Sequence, residues 1–172
     1  MAFSSVRDMV ELCKETGQPL YEVILESDLT ESGLTRAESE AEMHRLWSVM
    51  CATSAGYCST DRSMSGFAGG DAAKVSEAAA RGILYADGYF ADVMAEALKT
   101  AECNACMKRI VAAPTAGACG VLPAVLLPCA RHFSLSREQL VQALYVASGF
   151  GMVIAARASI SGAEGGCQAE VG

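Results

Sequence analysis

Three short loops concentrate the residue types from which a small-anion site is built. They are Ser63-Met64-Ser65-Gly66-Phe67-Ala68-Gly69-Gly70, Ala113-Pro114-Thr115-Ala116-Gly117-Ala118-Cys119-Gly120, and Ser161 to Gly172. Glycine lets a backbone come close to a ligand, and its amides, joined by Ser and Thr hydroxyls, can cradle a carboxylate. The same glycines also serve tight turns and close helix packing, so each loop taken alone supports either use. None of the three ends in the Gly-Lys-Ser/Thr of a phosphate loop, and none has a dinucleotide fingerprint following a strand.

Thiols are the second candidate chemistry. The eight cysteines stand at 13, 51, 58, 103, 106, 119, 129 and 167. Most lie in apolar stretches without the regular spacing of a stapled secreted domain, and they read as reduced thiols, chiefly small buried hydrophobes. Cys167 differs, because it sits on a glycine-rich loop beside Glu164, Gln168 and Glu170, where a thiolate can reach a metal or cluster. Cys103-x-x-Cys106 has a spacing shared by zinc, cluster and redox sites, but no second pair of ligands completes a zinc site. His44 and His132 are isolated, and no Ser-His or Cys-His arrangement is recognisable.

The elements that must position these residues read as helices. The chain is 52% hydrophobic, 19% charged and 6% aromatic, with a net charge of −7. Its mean hydropathy is +0.27 and its pI about 4.8. Abundant Ala and Gly with few aromatics favour closely packed helices over a β-sandwich. The acidic balance and the lack of a Lys/Arg cluster argue against a nucleic-acid partner. Ser5 caps a first helix that stops at Gly17, a short helix follows Pro19, and the capping box Thr35 to Glu38 opens a third through about Met50. A loop runs from Tyr57 to Gly70, a helix resumes with Asp71 as its N-cap, Asp87-Gly88 marks a turn, and Ala91 to Thr100 is helical again. A Cys-rich joint (102–106), a segment broken by Pro and Gly, a polar turn at 132–137 and a further apolar helix lead to a final glycine-rich loop. Ile110–Ala130 and Gln139–Ala156 lack charge, so a small helical membrane protein is one alternative, and a non-catalytic partner-binding subunit is the other. The prolines and glycines of the first stretch, and the polar residues and short length of the second, favour buried core helices.

At these loops the sequence resembles a known family. NACMKRIVAAPTAGACGVLPAVL (104–126) and SGAEGGCQAEVG (161–172) look like two signature segments of iron–sulfur-dependent L-serine dehydratases, and RSMSGFAGGDAAK (62–74) resembles a third. The likeness runs in order through essentially the whole chain. It implies an all-α fold, a compact bundle of buried and amphipathic helices with glycine-rich active-site loops. It also implies an L-serine ammonia-lyase, releasing pyruvate and ammonia in amino-acid degradation and gluconeogenesis.

Carried over by position, the resemblance places Cys167 as the first cysteine of a [4Fe–4S] cluster whose open iron acts on the substrate hydroxyl. It places Ser63, Ser65, Gly66, Thr115, Ala116 and Gly117 around the substrate carboxylate, with Asn104 a further polar position. Cys106 and Cys119 stand where the family has other small residues and read as packing. The remaining cluster cysteines are expected beyond Gly172, so residues 1–172 are expected to be an incomplete N-terminal portion of the catalytic alpha domain, inactive in isolation. The general base is not assignable from this chain; the resemblance points to a histidine of the other domain or subunit. Expected partners are L-serine and the β subunit or domain, in a cytoplasmic oligomeric enzyme without nucleic acid or membrane.

Overall fold

The computed structural model describes residues 3–84 and 88–171, apart from the side chain of Cys167. Among the described residues every regular element is a helix: α1 (Val6–Thr16), α2 (Leu20–Ser32), α3 (Arg36–Ala55), α4 (Asp71–Ala80), α5 (Gly88–Ala105), α6 (Val121–His132), α7 (Arg137–Ala155), α8 (Gly162–Gly165) and α9 (Cys167–Val171). The all-α expectation is met. The chain divides into two compact units, Met1–Trp47 with Ser136–Ile160, and Ser48–Leu135 with Ser161–Gly172.

The first unit is assembled from well-punctuated helices around an apolar cluster. The Ser5 hydroxyl accepts from the Asp8 amide at 3.1 Å, and Gly17 closes α1 with φ 69. Gly33 ends α2 in the same left-handed conformation, φ 71, which costs glycine nothing. At the start of α3 the Thr35 amide donates to Glu38 at 2.9 Å and the Glu38 amide to Thr35 at 3.3 Å, the reciprocal capping box. A second box, Ser136 with Gln139, opens α7; it follows a polar turn and was not anticipated. Phe3, Met9, Ile24 and Val153 form a buried cluster, with Leu12 and Leu20 packed on its edge. Gly149 of α7 lies so close to Ile24 of α2 that a Cβ there would overlap its side chain. The Tyr145 hydroxyl lies 2.8 Å from Ser39, whose own hydroxyl donates to Asp28 at 2.9 Å. Burial pushes the Tyr145 phenol up.

The second unit is organised around α5, which packs against both α4 and α6. Small residues make the approach close: Ala91 and Ala95 are buried, and a Cβ on Gly120 would stand 2.8 Å from the Ala97 carbonyl oxygen. Glu96 is 1% exposed, and its carboxyl group is met by Lys99 at 2.9 Å, Arg131 at 3.2 Å and the Ser54 hydroxyl at 2.5 Å, partners that offset the cost of burying it. Residues 110–120 are not helical, and α6 begins only at Val121, so Pro123 falls in the first turn, where its missing amide needs no partner. Pro128 is accommodated inside α6. Among the described residues no helix is long and apolar enough to cross a membrane.

Several local expectations are corrected. Asp71 does not cap α4: the preceding residue Gly70 occupies that position with φ 86, and the Asp71 carboxylate pairs with Lys74 at 2.7 Å. α5 runs on to Ala105 and absorbs most of the Cys-rich joint. The final segment is not one open loop but two short helical pieces, α8 and α9, separated by Gly166 with φ 80. His44 has partners, since Arg137 Nε donates to its Nδ1 at 3.0 Å and Glu138 lies 3.5 Å from its Nε2. His132 lies 3.4 Å from Asp92 and packs edge-on against Tyr89. Only Cys103 and Cys119 of the seven cysteines with described side chains are buried, and Cys58 is exposed. The expected turn at Asp87-Gly88 falls partly outside the described residues, because Asp87 is not among them.

Candidate functional site

All three chemistry-bearing loops belong to the second unit, and the last turn of α5 holds two of them. Glu102, near the end of α5, is 6% exposed and turns its carboxylate onto the start of α4. Oε2 accepts from the Gly70 amide at 2.8 Å; Oε1 accepts from Asp71 at 2.7 Å and from Ala72 at 3.1 Å. These are amides that a helix leaves without internal partners, and a carboxylate is their best acceptor. The Tyr57 hydroxyl joins the group, donating to Glu102, and burial with that contact pushes its phenol up. Two residues further on, Asn104 Nδ2 donates to the Ala116 carbonyl at 3.0 Å. One helical turn therefore grips the serine loop through Glu102 and the Pro-Thr-Ala-Gly loop through Asn104.

The serine loop is shaped from within. The Ser63 amide donates to the Ala68 carbonyl at 2.9 Å and the Ser63 hydroxyl accepts from the Ala68 amide at 3.1 Å. The Ser65 hydroxyl is 3.1 Å from that of Ser63, and Gly66 turns the chain at φ 76. Gly69 has φ 130, and a Cβ there would run into the Asp61 carbonyl, so no other residue fits. Met64 and Phe67, on either side of Ser65-Gly66, are 98% and 94% exposed. The expected residues Ser63, Ser65 and Gly66 are thus brought to one exposed turn with their polar groups close together.

The second loop holds Thr115, Ala116 and Gly117 after a cis Ala113–Pro114 peptide. The Ala116 carbonyl accepts both from Asn104 and from the Cys119 amide, the latter at 3.3 Å. The Thr115 hydroxyl is buried and has no hydrogen-bond partner. Buried hydroxyls are rarely left so, which marks this one as available to a ligand. Gly117 faces the third loop: a Cβ there would collide with the Glu170 carboxylate, and one on Gly162 would lie 2.5 Å from the same group. The Gly162 amide donates to Glu170 Oε1 at 3.1 Å. Glu170 thus joins the second and third loops. Glu102 and Tyr57 were not singled out from sequence, and Glu170 only as a neighbour of Cys167; the one available signal for Glu102 is that no other acid lies between it and Glu138.

Cys167 opens α9, three residues before Glu170, and its side chain lies outside the described residues. A cubane cluster takes three or four thiolates. Among the described residues no three His, Cys, Asp or Glu side chains form a group that could hold a metal. Burial pushes the Cys103 and Cys119 thiols up, which favours the protonated form over the ligand-competent thiolate. The described residues of this chain therefore do not make a cluster site by themselves. Beside the serine loop a shallow depression is lined by Tyr57, Cys58, Asp61, Glu102, Cys106 and Lys108. There Lys108 pairs with Asp61 at 2.5 Å and holds its carboxyl below the usual range, and hydrogen bonds from Thr60 lower the Cys58 thiol.

Comparison with known proteins decides the family. The family described as serine dehydratase alpha chain matches residues 15–172. The chain belongs to that family. A protein of Bacillus subtilis (strain 168) named probable L-serine dehydratase, alpha chain, is 35% identical over 170 residues, covering 99% of this chain and 57% of its own length. The L-serine dehydratase alpha chain of Peptoniphilus asaccharolyticus is 33% identical over 170 residues, with 98% and 58% covered. L-serine dehydratase 2 of Escherichia coli (strain K12) is 35% identical over 180 residues, with 99% and 38% covered. This chain spans a little over half the length of the two alpha chains. No solved structure matches it significantly. As a member of the serine dehydratase alpha chain family, it carries its small-residue loops on the α4–α6 side of the fold's division, not among the helices α1, α2 and α7.

Proposed function

We propose that the chain is the N-terminal portion of the catalytic alpha domain of an L-serine ammonia-lyase, working with a β subunit or domain in an oligomeric cytoplasmic enzyme. The observation that carries the reading is the double grip of α5, with Glu102 on the serine loop and Asn104 on the Pro-Thr-Ala-Gly loop. Family membership supplies the reaction class, and this grip supports the use of the loops as one site.

Serine dehydration removes a weakly acidic α-proton and a poor leaving group, hydroxide; the resulting aminoacrylate hydrolyses to pyruvate and ammonia. In this reading the Ser63 and Ser65 hydroxyls, the Gly117 amide, and Thr115 with the Ala116 backbone hold the substrate carboxylate, while Gly66, whose amide donates to the Ser63 carbonyl at 2.8 Å, shapes the turn that presents the two serines. The free Thr115 hydroxyl fits that role, having donor capacity with no internal partner. Asn104 positions the second loop by its bond to Ala116. Cys167 contributes one thiolate to a [4Fe–4S] cluster whose other ligands come from outside this chain. That cluster, when bound, supplies an iron able to act as a Lewis acid on the substrate hydroxyl. The general base belongs to the partner domain or subunit, and residues 1–172 alone are inactive.

The test is L-serine-dependent pyruvate formation by the full-length protein with its partner subunit, prepared without oxygen, beside Cys167→Ser. Activity that follows iron content and disappears in the variant is the expected result. Activity untouched by Cys167→Ser removes this residue from the cluster, and an inert, iron-loaded complex overturns the reaction.

A further inference from the structure

A site for an amino acid must answer two charges, and the loops assigned above answer only one. Hydroxyls and backbone amides suit the carboxylate of L-serine. Its α-ammonium group needs an acceptor, preferably an anion held where water is partly excluded. The Glu170 carboxylate packs against the Pro-Thr-Ala-Gly loop, filling the space that a Cβ on Gly117 would take.

The hydrogen bonding of Glu170 leaves that acceptor role open. Oε1 takes one bond, from the Gly162 amide at 3.1 Å; Oε2, the atom nearest Gly117, has no donor among the described residues, and no cation pairs with the group. A carboxylate has about four acceptor positions, so most of this one's capacity is unused. Two glycines 45 positions apart in the chain, 117 and 162, both make room for it. Two residues before Gly117, the Thr115 hydroxyl is buried and also unused. An unspent donor at Thr115 and an unspent acceptor against Gly117, two residues on, are what a zwitterionic ligand requires.

We propose that Glu170 receives the α-ammonium group of the amino-acid substrate, making it the residue by which the site tells an amino acid from a simple hydroxy acid. This rests on the serine ammonia-lyase reading and extends it. A residue that merely braced the loop would weaken every ligand alike, whereas an ammonium acceptor weakens only ligands that carry the ammonium.

The experiment uses the full-length protein with its partner subunit, and compares L-serine as substrate with 3-hydroxypropionate, which lacks the amino group, as competitive inhibitor. In Glu170→Gln the KM for L-serine is expected to rise at least about tenfold, the loss of a charge-assisted bond. The inhibition constant for 3-hydroxypropionate is expected to stay within about threefold, so that the ratio of the two constants moves. The ratio does not depend on the fraction of protein folded. Glu170→Asp, which keeps the charge, is the second variant and should retain most of the discrimination. An unchanged or lower KM in Glu170→Gln, or two constants rising in step, overturns the proposal. Absence of L-serine turnover in the unaltered protein is a separate result that overturns the underlying reading as well.

Discussion

The two units bury different things. In the first, the interior is made of Phe3, Met9, Ile24, Leu25, Leu140, Leu144 and Val153, and its buried polar groups, Ser27 and Ser39, are uncharged. In the second, the buried set includes two carboxylates, Glu96 and Glu102, beside Ala72, Ala91, Ala95, Cys103, Cys119 and Ala124. The first unit excludes water with large apolar side chains. The second also buries Val49, Met50 and Leu127, but adds small residues for close backbone approach and carboxylates to hold exposed backbone ends and cations. Small residues and buried acceptors are what an anion-binding loop cluster needs for support, and large side chains would obstruct it. The division of chemistry between the units follows from that division of materials.

If charge is the structural element of the second unit, its removal should have the largest effect. Glu96→Ala is expected to cost about 3–4 kcal/mol in denaturant unfolding, because it opens a cavity and takes the acceptor from Lys99 and the Ser54 hydroxyl, whereas Arg131, 47% exposed, keeps Asp92. A cost below about 1 kcal/mol would erase the contrast between the units. In the first unit, Ile24→Ala should cost about 3 kcal/mol, the usual penalty of a buried aliphatic truncation, and Gly149→Ala about 1–3 kcal/mol by forcing a methyl into Ile24. Glu102→Ala is expected to lose about 2–3 kcal/mol, with amides at Gly70, Asp71 and Ala72 left unanswered, and Glu102→Gln clearly less, since one carbonyl oxygen remains to accept. Equal losses in the two Glu102 variants would mean that its charge, not its acceptor geometry, holds the serine loop.

The smallest effect expected is a pH dependence at the edge of the first unit. Hydrogen bonds from Ser4 and Ser5 hold the Asp8 carboxyl at about 2, below its ordinary 3.8. A depressed carboxyl stabilises the fold above its unfolded value and loses that contribution as pH falls through the folded one. Asp8→Asn should therefore be less stable than the parent at pH 7, and the difference should close between about pH 4 and pH 2. A gap that persists at pH 2 would assign the effect to packing.

Legibility differed between the units for physical reasons. Ser5, Gly17, Thr35 and Glu38 act within a few residues of one another, so their roles in capping follow from local spacing, and the structure keeps them. Asp71 looked like a cap by the same logic, yet an acceptor 31 residues away, Glu102, took two amides at that end. The terminal glycine-rich segment looked open, but the Gly162 amide finds Glu170 and short helical turns form around them. The seven expected substrate positions, Ser63, Ser65, Gly66, Asn104, Thr115, Ala116 and Gly117, all fall in the second unit. Which groups tie their loops together was not readable from their spacing.

The amino-acid order by itself determined that this protein is helical, where its first four helices begin, and which loops are rich enough in small and hydroxyl residues to approach a ligand. Propensity, capping and glycine conformation are local energies, set within one or two turns of chain. Only the tertiary structure decided that Glu102 and Asn104 on one turn of α5 hold two separate loops, and that Glu170 lodges between Gly117 and Gly162. Those contacts join residues 8 to 53 positions apart. A carboxylate's partner at that range is chosen by which unsatisfied amides packing brings within 3 Å, and no short stretch of sequence carries that information.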